Sequence, residues 1–399
     1  MRIAFFVRRV PPVIDGVGDY TWHLARSLRQ TGFDAHIFTS RNQVEATGLE
    51  EGWIHPIIPR WTGKKAAEAL ASVPAFRADW CSFQYVPQMY GHRGFCWTAS
   101  GVPQALRQRL RMRVATTFHE FASAGGPHLK DAVLAGIMRR LTGRALVGSD
   151  LVITTCSRYA DRLRPFLQGS VPIMTVPVGA NIEPVRVRPD EIAALRRRYS
   201  LNGCKVFGVF GRLSPFRNFL TAIRALERAK QQGLRAALML IGCVESSNPR
   251  LFAELRHLTQ ELDVETQLVV TGELSAEAVS VHLRLVDVFL FPQRDGISTR
   301  NTTAMTALAH DLPVVTYAPT AGNYDGYEIP CGVHVPVGDE EGFIREAVKF
   351  LRATDDRSEG DGANAAYFER HFSWARIADR YIEAFRTVGR TDQALQCWP

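Results

Sequence analysis

Arg212 and Arg217 lie five residues apart in the stretch GRLSPFRN, where the apolar run CKVFGVF ends and the helical pattern FLTAIRALERAKQQG begins. One guanidinium at a strand's end and one at a helix start can converge on a diphosphate and neutralise the charge it gains as a leaving group. The blander fate of such arginines is pairing with surface acids; their place directly after a strand favours the anion. A second candidate stretch is FPQRDGISTRNTTAMTALAHDLPVV, Phe291 to Val315. It reads as the end of a strand, a loop from Pro292 to Ser298 and a helix from Arg300 to Ala309. Amides around Ser298 and Thr299, at the positive end of that helix, can hold phosphate oxygens. Asp295, followed by Gly296 and Ile297, offers a carboxylate to sugar hydroxyls or serves simply as a turn residue. Arg300 adds a cation and Thr303 a hydroxyl.

The first half of the chain holds two further candidates. Asp15-Gly16-Val17-Gly18-Asp19 follows the strand RIAFFV. Gly16 and Gly18 let backbone N–H groups approach a phosphate or sugar, or make a plain tight turn. Thr117-Phe118-His119-Glu120 ends another strand, so His119 can bond a donor hydroxyl or orient an acceptor, or be a structural histidine. Gln84 and Tyr85, in FQYVPQMYG, end a neighbouring strand and can line an acceptor pocket.

These positions need a frame that gathers strand ends. Each half opens with a buried strand, a turn and an amphipathic helix closed by glycine (Gly32, Gly233) before the next strand, DAHIFTS or AALMLIG. Later strands are expected at ADWCSFQYV, VATTFHE, DLVITTCS and TVPVG, then at QLVVTG, VDVFLFP, LPVVTY and GVHVPV. Alternating strands and helices imply right-handed crossovers and parallel sheets with helices on both faces, and ligands of such sheets sit beyond the carboxyl ends of the strands. At 399 residues, two domains are expected. The proline- and charge-rich GANIEPVRVRPDE marks the linker. The domains read as 1–184, 185–370 and a closing helical segment, 371–399, in which Trp374, Ile377, Ala378, Tyr381 and Ile382 form one apolar face. DDRSEGDGAN (355–364) reads as a solvated loop.

In order and spacing these pieces resemble the group 1, glycogen-synthase-like retaining glycosyltransferases of GT-B architecture. PPVIDGVGDYTWHLARSL is similar to their opening glycine loop, VFGRLSPFRN to their strand-Arg-turn motif, VTGELSAEAVSVHLRLVDVFLFP to their nucleotide-side segment and FSWARIADRYIEAF to their closing helix. The resemblance implies an α/β fold of two Rossmann-like domains whose parallel sheets face across a crevice, with the last helix crossing back to the first domain. It also implies that Arg212 and Arg217 bind the donor diphosphate, arginine standing for a lysine at the second position. Gly272, Glu273 and Leu274 would border the nucleobase, Gly18 would approach the donor phosphates or the acceptor, and His119 would contact the transferred sugar. The family's signature of two glutamates eight apart is replaced here by Asp295 and Thr303, and Asp311 stands where a glycine precedes LPVV. Asp295 still reaches sugar hydroxyls, whereas Thr303 offers the nucleotide ribose only a hydroxyl.

The expected reaction is therefore transfer of a hexose from a nucleoside diphosphate sugar to a hydroxyl, with retention, in polysaccharide, glycolipid or glycoside synthesis. No cofactor or metal is expected, because positive groups at the leaving group take a metal's place. A sugar-nucleotide 2-epimerase, or a silent protein of the same architecture that binds a sugar nucleotide or glycan, are the alternatives. His119-Glu120 lacks a second histidine four residues on, so a zinc-protease helix is excluded. The net charge of +8 suits phosphate-bearing ligands or an anionic membrane surface. Arg107, Arg109, Arg111, Arg113, Arg139, Arg140 and Arg144 concentrate that charge in the first half, which suits a lipid-linked acceptor. Nucleic acid is not expected, for lack of any basic-aromatic stripe. Seven cysteines without C-x-x-C pairing, no membrane-length apolar run and no signal-peptide pattern give the expectation of a cytoplasmic protein, peripheral at most at the inner membrane face.

Overall fold

A computed structural model describes residues 1–43, 45, 49, 51–120, 129–167, 171–319, 328–353 and 362–396. The solvated loop expected at 355–364 lies outside the described residues except for 362–364. Packing divides the chain into two units: Met1–Val178 with Trp374–Pro399, and Gly179–Ser373.

The first unit is built on seven parallel strands: β1 (Arg2–Phe6), β2 (Asp34–Ser40), β3 (Ile54–Ile58), β4 (Trp80–Tyr85), β5 (Arg113–Phe118), β6 (Leu151–Thr154) and β7 (Ile173–Thr175), in the order β3-β2-β1-β4-β5-β6-β7. Central strands such as WCSFQY are buried along their whole length, as a sheet covered on both faces requires. Alternation along β4 sends Cys81, Phe83 and Tyr85 into a core with Ala66, Leu106 and Leu141. Trp80, on the opposite face, stacks on Phe385 of the helix Trp374–Gln396, ring centroids 4.7 Å apart. That helix buries Trp374, Ile377, Ala378, Tyr381 and Ile382, the stripe expected from sequence. Its Tyr381 hydroxyl bonds Tyr20 at 3.1 Å and Thr117 at 2.9 Å, which ties it to the helix Gly16–Gln30 and to β5.

Two strand expectations need correction. IHPII was not anticipated; it is the edge strand β3, the position in a sheet where a proline is tolerated. The last strand of this sheet is Ile173–Thr175, so TVPVG runs off its end, and Pro177 has no N–H to continue the ladder.

The second unit has six parallel strands: β8 (Lys205–Phe210), β9 (Ala236–Ile241), β10 (Leu268–Val270), β11 (Val288–Phe291), β12 (Val314–Tyr317) and β13 (Gly332–Val335), in the order β10-β9-β8-β11-β12-β13. Asp311 precedes β12 with φ of 57°, in the left-handed region that favours glycine. Its carboxylate accepts from the amides of Gly362, Asn364 and Ala365 at 3.0–3.1 Å, and so caps the helix Ala363–His371.

In each sheet the strand order reverses once, between β1 and β4 and between β8 and β11. Loops leaving the two strands at such a switch point diverge and open a crevice at the carboxyl edge. GRLSPFRN follows β8 and the Pro292–Asn301 loop follows β11, so both lie at the switch point of the second sheet.

Candidate active site

Arg217 is half-buried at the end of the turn that follows β8. Its Nη1 donates to the Phe210 carbonyl at 2.6 Å and its Nη2 to the Thr303 hydroxyl at 2.9 Å. A guanidinium has five N–H donors; two are spent here, which leaves three. No carboxylate pairs with Arg217 among the described residues. Burial lowers its pKa, the adjacent Cys243 opposes that, and the charge of Arg212 adds to it. Arg212 is exposed and has no partner among the described residues. Gly211, at φ of 112°, is required beside this pair, since a Cβ there would stand 2.2 Å from Arg217 Nη1.

The loop after β11 needs correction. The helix begins at Thr302, not at Arg300. Asn301 precedes it but turns its Oδ1 backwards to accept from the Ser298 amide at 2.7 Å and the Ser298 hydroxyl at 2.9 Å. The Ser298 amide is therefore already spent, and Ser298 and Thr299 are buried. The amides of Thr302 and Thr303 have no partner among the described residues, at a helix end with no side-chain cap. They point out of the first turn beside the Thr303 hydroxyl that holds Arg217. Arg300 is not a free cation: Asp295 lies 4.0 Å from its Nη2. Gly296 and Ile297 are buried in the loop, where Ile297 donates to the Tyr317 carbonyl at 3.3 Å.

Gly272, Glu273 and Leu274 leave the edge strand β10, with Glu273 exposed and the other two half-buried. The Gly242 amide donates to Thr271 Oγ1 at 3.0 Å, so the loops after β9 and β10 are joined. The second sheet thus carries, along one edge, a half-exposed glycine turn, the two arginines and an uncapped helix start.

In the first unit the glycine stretch is the first turn of the helix Gly16–Gln30, not a turn before it. Asp15 is its N-cap and accepts from the amides of Val17 and Gly18 at 3.1 and 3.0 Å, so a carboxylate already fills the place a phosphate would take. Gly18 is needed for a local reason: a Cβ would sit 2.6 Å from the Arg9 carbonyl. His119 is buried with its ring edge-on to Tyr20, and its Nε2 bonds Gln84 Oε1 at 2.8 Å. Burial pushes its pKa down to about 3, so the imidazole is neutral. With Nε2 donating to Gln84, Nδ1 carries a lone pair that can accept from a hydroxyl. Gln84 therefore orients His119. Tyr85 is not a pocket residue, because it lies on the core face of β4 with its hydroxyl 3.4 Å from Cys96 Sγ.

The basic cluster is partly structural. Arg107 pairs with Asp150 at 3.1 Å, and Arg113 lies over the Trp80 ring. Arg109, Arg111, Arg139 and Arg140 are exposed, without ion pairs among the described residues. Among the described residues, no helix is long and apolar enough to cross a membrane, and no group of three or more His, Cys, Asp or Glu is placed to hold a metal ion.

Residues 14–183 match the model of Glycosyltransferase Family 4, and residues 204–353 that of Glycosyl transferases group 1. The chain belongs to the group 1 glycosyltransferases of GT-B architecture. It is 27% identical over 235 residues to a GDP-mannose-dependent alpha-(1-6)-phosphatidylinositol monomannoside mannosyltransferase of Mycobacterium tuberculosis, a match covering 58% of each. A protein of the same name in Mycolicibacterium smegmatis is 29% identical over 193 residues, 48% of this chain and 47% of that protein. The chain thus spans about half the length of the curated relatives it matches. Sucrose-phosphate synthase from Thermosynechococcus elongatus shares the fold with a TM-score of 0.69 at 18% identity, covering 98% of this chain and 99% of that one. Anabaena Alr3699/HepE in complex with UDP-glucose does so with 0.70 at 14% identity, covering 97% and 100%.

Two groups of the first unit have roles that the residue pattern alone does not assign. One is Asp15, although an aspartate just ahead of a helical pattern is itself a capping signal. The other is Asp19, half-buried four residues further on, whose carboxyl is pushed up to about 7 by burial and then by Asp15. No local pattern marks it, since the burial comes from the folded unit.

Proposed function

We propose that this glycosyltransferase moves a hexose from a nucleoside diphosphate sugar to a hydroxyl, with retention at the anomeric carbon. One observation carries the reading. Two arginines with unspent donors and no acid between them stand at a sheet switch point, beside an uncapped helix start. Positive charge arranged this way calls for an oxyanion of more than one oxygen, which a diphosphate supplies. Along the same edge, β10 lies two strands from β8, roughly 10 Å at ordinary strand spacing. That suits a nucleoside whose base rests on Gly272–Leu274 while its phosphates reach Arg212 and Arg217.

Asp295 is drawn to Arg300, so the route relies on the leaving group itself. The bond from the anomeric carbon to the diphosphate breaks, the acceptor oxygen bonds that carbon on the same face, and the acceptor's proton passes to the diphosphate. Arg212, Arg217 and the amides of Thr302 and Thr303 stabilise the charge that develops. They do what a metal would do, and activity is expected to survive chelation. In the first unit, His119 Nδ1 accepts from a sugar hydroxyl.

The mycobacterial relatives are named as GDP-mannose-dependent enzymes acting on a phosphatidylinositol monomannoside. GDP-mannose and an anionic lipid acceptor are therefore the first pair to try, and the exposed Arg109, Arg111, Arg139 and Arg140 suit an anionic surface. Nucleotide release from UDP, GDP, ADP and dTDP sugars, measured with and without acceptor, tests the reading. Acceptor-stimulated release supports it, and binding without turnover by every donor overturns it in favour of a silent sugar-nucleotide binder.

A further inference from the structure

Thr303 sits in the first turn of the helix Thr302–Ala309, buried, with its Oγ1 accepting from Arg217 Nη2 at 2.9 Å. On the other side of the guanidinium, Nη1 is held by the Phe210 carbonyl. Two neutral acceptors from two different elements therefore clamp one cation without discharging it. Acceptors at both ends fix the plane of the group, which freezes the rotamer freedom a long side chain otherwise loses on binding.

We infer that Thr303 is a positioning residue for the anion site: by accepting from Arg217 it aims the three remaining N–H groups at the ligand while leaving the positive charge unpaired. This rests on the reading of Arg217 as an anion ligand. The neutrality of the hydroxyl is the essential property. A carboxylate at this position would take the guanidinium in a bidentate pair and compete with an incoming phosphate for the same donors. An acidic side chain at residue 303 should therefore weaken anion binding, as should an apolar one.

Inorganic pyrophosphate is the probe, titrated calorimetrically into the full chain and its variants, with melting curves run alongside. T303V, nearly isosteric and without an acceptor, is expected to weaken binding about five- to tenfold, the worth of one hydrogen bond. T303S, which restores the oxygen, is expected to recover most of that loss. T303E is expected to weaken binding more than tenfold. Should T303E fail to fold, the contrast between T303V and T303S decides. Pyrophosphate binding abolished by R217A but unchanged in T303V, or equal or tighter in T303E, overturns the positioning role alone. A wild type that binds no pyrophosphate overturns the reading of Arg217 itself.

Discussion

Arg217 and Thr303, 86 residues apart, share a hydrogen bond of 2.9 Å. β8 and β11 are neighbours at the switch point, so the turn after the one meets the helix after the other. Two positions that look like separate motif remnants are therefore one device, a guanidinium held in place by uncharged acceptors. A threonine where a carboxylate would be expected is consistent with this arrangement, because the charge of Arg217 stays available to a ligand.

Arg212 gives the most direct test of catalysis. Its side chain is exposed and without a partner among the described residues, so Arg212→Ala should change stability by less than about 0.5 kcal/mol. Loss of one charge-assisted bond to a diphosphate costs about 1.5–3 kcal/mol, or roughly 10- to 150-fold in kcat/KM. Initial rates with a saturating acceptor, set beside melting curves, check both halves; a fully active variant would sink the assignment.

Asp311 makes a separable prediction about stability. Asp311→Gly keeps the left-handed backbone but loses the three amide contacts, a capping loss of about 1–2 kcal/mol. Asp311→Ala loses the same contacts and keeps the backbone strain of about 1 kcal/mol at φ of 57° that glycine relieves. Urea midpoints should therefore fall in the order wild type, glycine, alanine. An alanine variant as stable as the glycine variant would show that the backbone strain is not felt.

The strands were readable because buried parallel strands are nearly continuous apolar runs, as in AALMLI and VFLF. IHPII escaped because an edge strand tolerates His55 and Pro56, which break the run. The glycine stretch misleads for a different reason: Gly16 and Gly18 are poor helix formers, yet the Asp15 cap and the close approach of Gly18 to Arg9 place them in a helix. Among the candidate residues of each unit, the types of Arg212, Arg217 and His119 and their placement after strands were legible. Their partners were not, because the bonds from Gln84 to His119 and from Arg217 to Thr303 depend on which strands lie side by side. Tyr85 shows the limit on a single strand, where a shift of one residue from Gln84 reverses the face.

Asp19 predicts a pH dependence of stability. Its carboxyl titrates near 3.8 when unfolded and is pushed up to about 7 in the fold, by burial first and by Asp15 second. Between these values the folded state binds more protons than the unfolded one, so stability from this group falls as pH rises. The penalty is absent below the unfolded value and complete above the folded one. Asp19→Asn removes it, and should raise the melting temperature at pH 8 while changing it little at pH 4. The difference at pH 8 is of the order of 1–2 kcal/mol once partial solvent exposure is allowed for. A difference that stays flat across that range would mean that Asp19 is solvated as an ordinary surface carboxylate.

Gly211 tests whether the position of Arg217, rather than its mere presence, matters. A methyl group at residue 211 would meet Nη1 at 2.2 Å, and φ of 112° strains any residue but glycine. Gly211→Ala should therefore destabilise the fold by about 1–3 kcal/mol and also push the guanidinium off the Phe210 carbonyl. The two effects separate in a double-mutant cycle with Arg217→Ala. If displacement of Arg217 is how Gly211→Ala weakens diphosphate binding, the substitution costs binding in the wild-type background and almost nothing further in Arg217→Ala. The backbone strain, by contrast, persists in both backgrounds and appears in both melting curves. Additive losses of binding in the double variant would mean that residue 211 meets the ligand directly, and that the clamp on Arg217 is not what positions it.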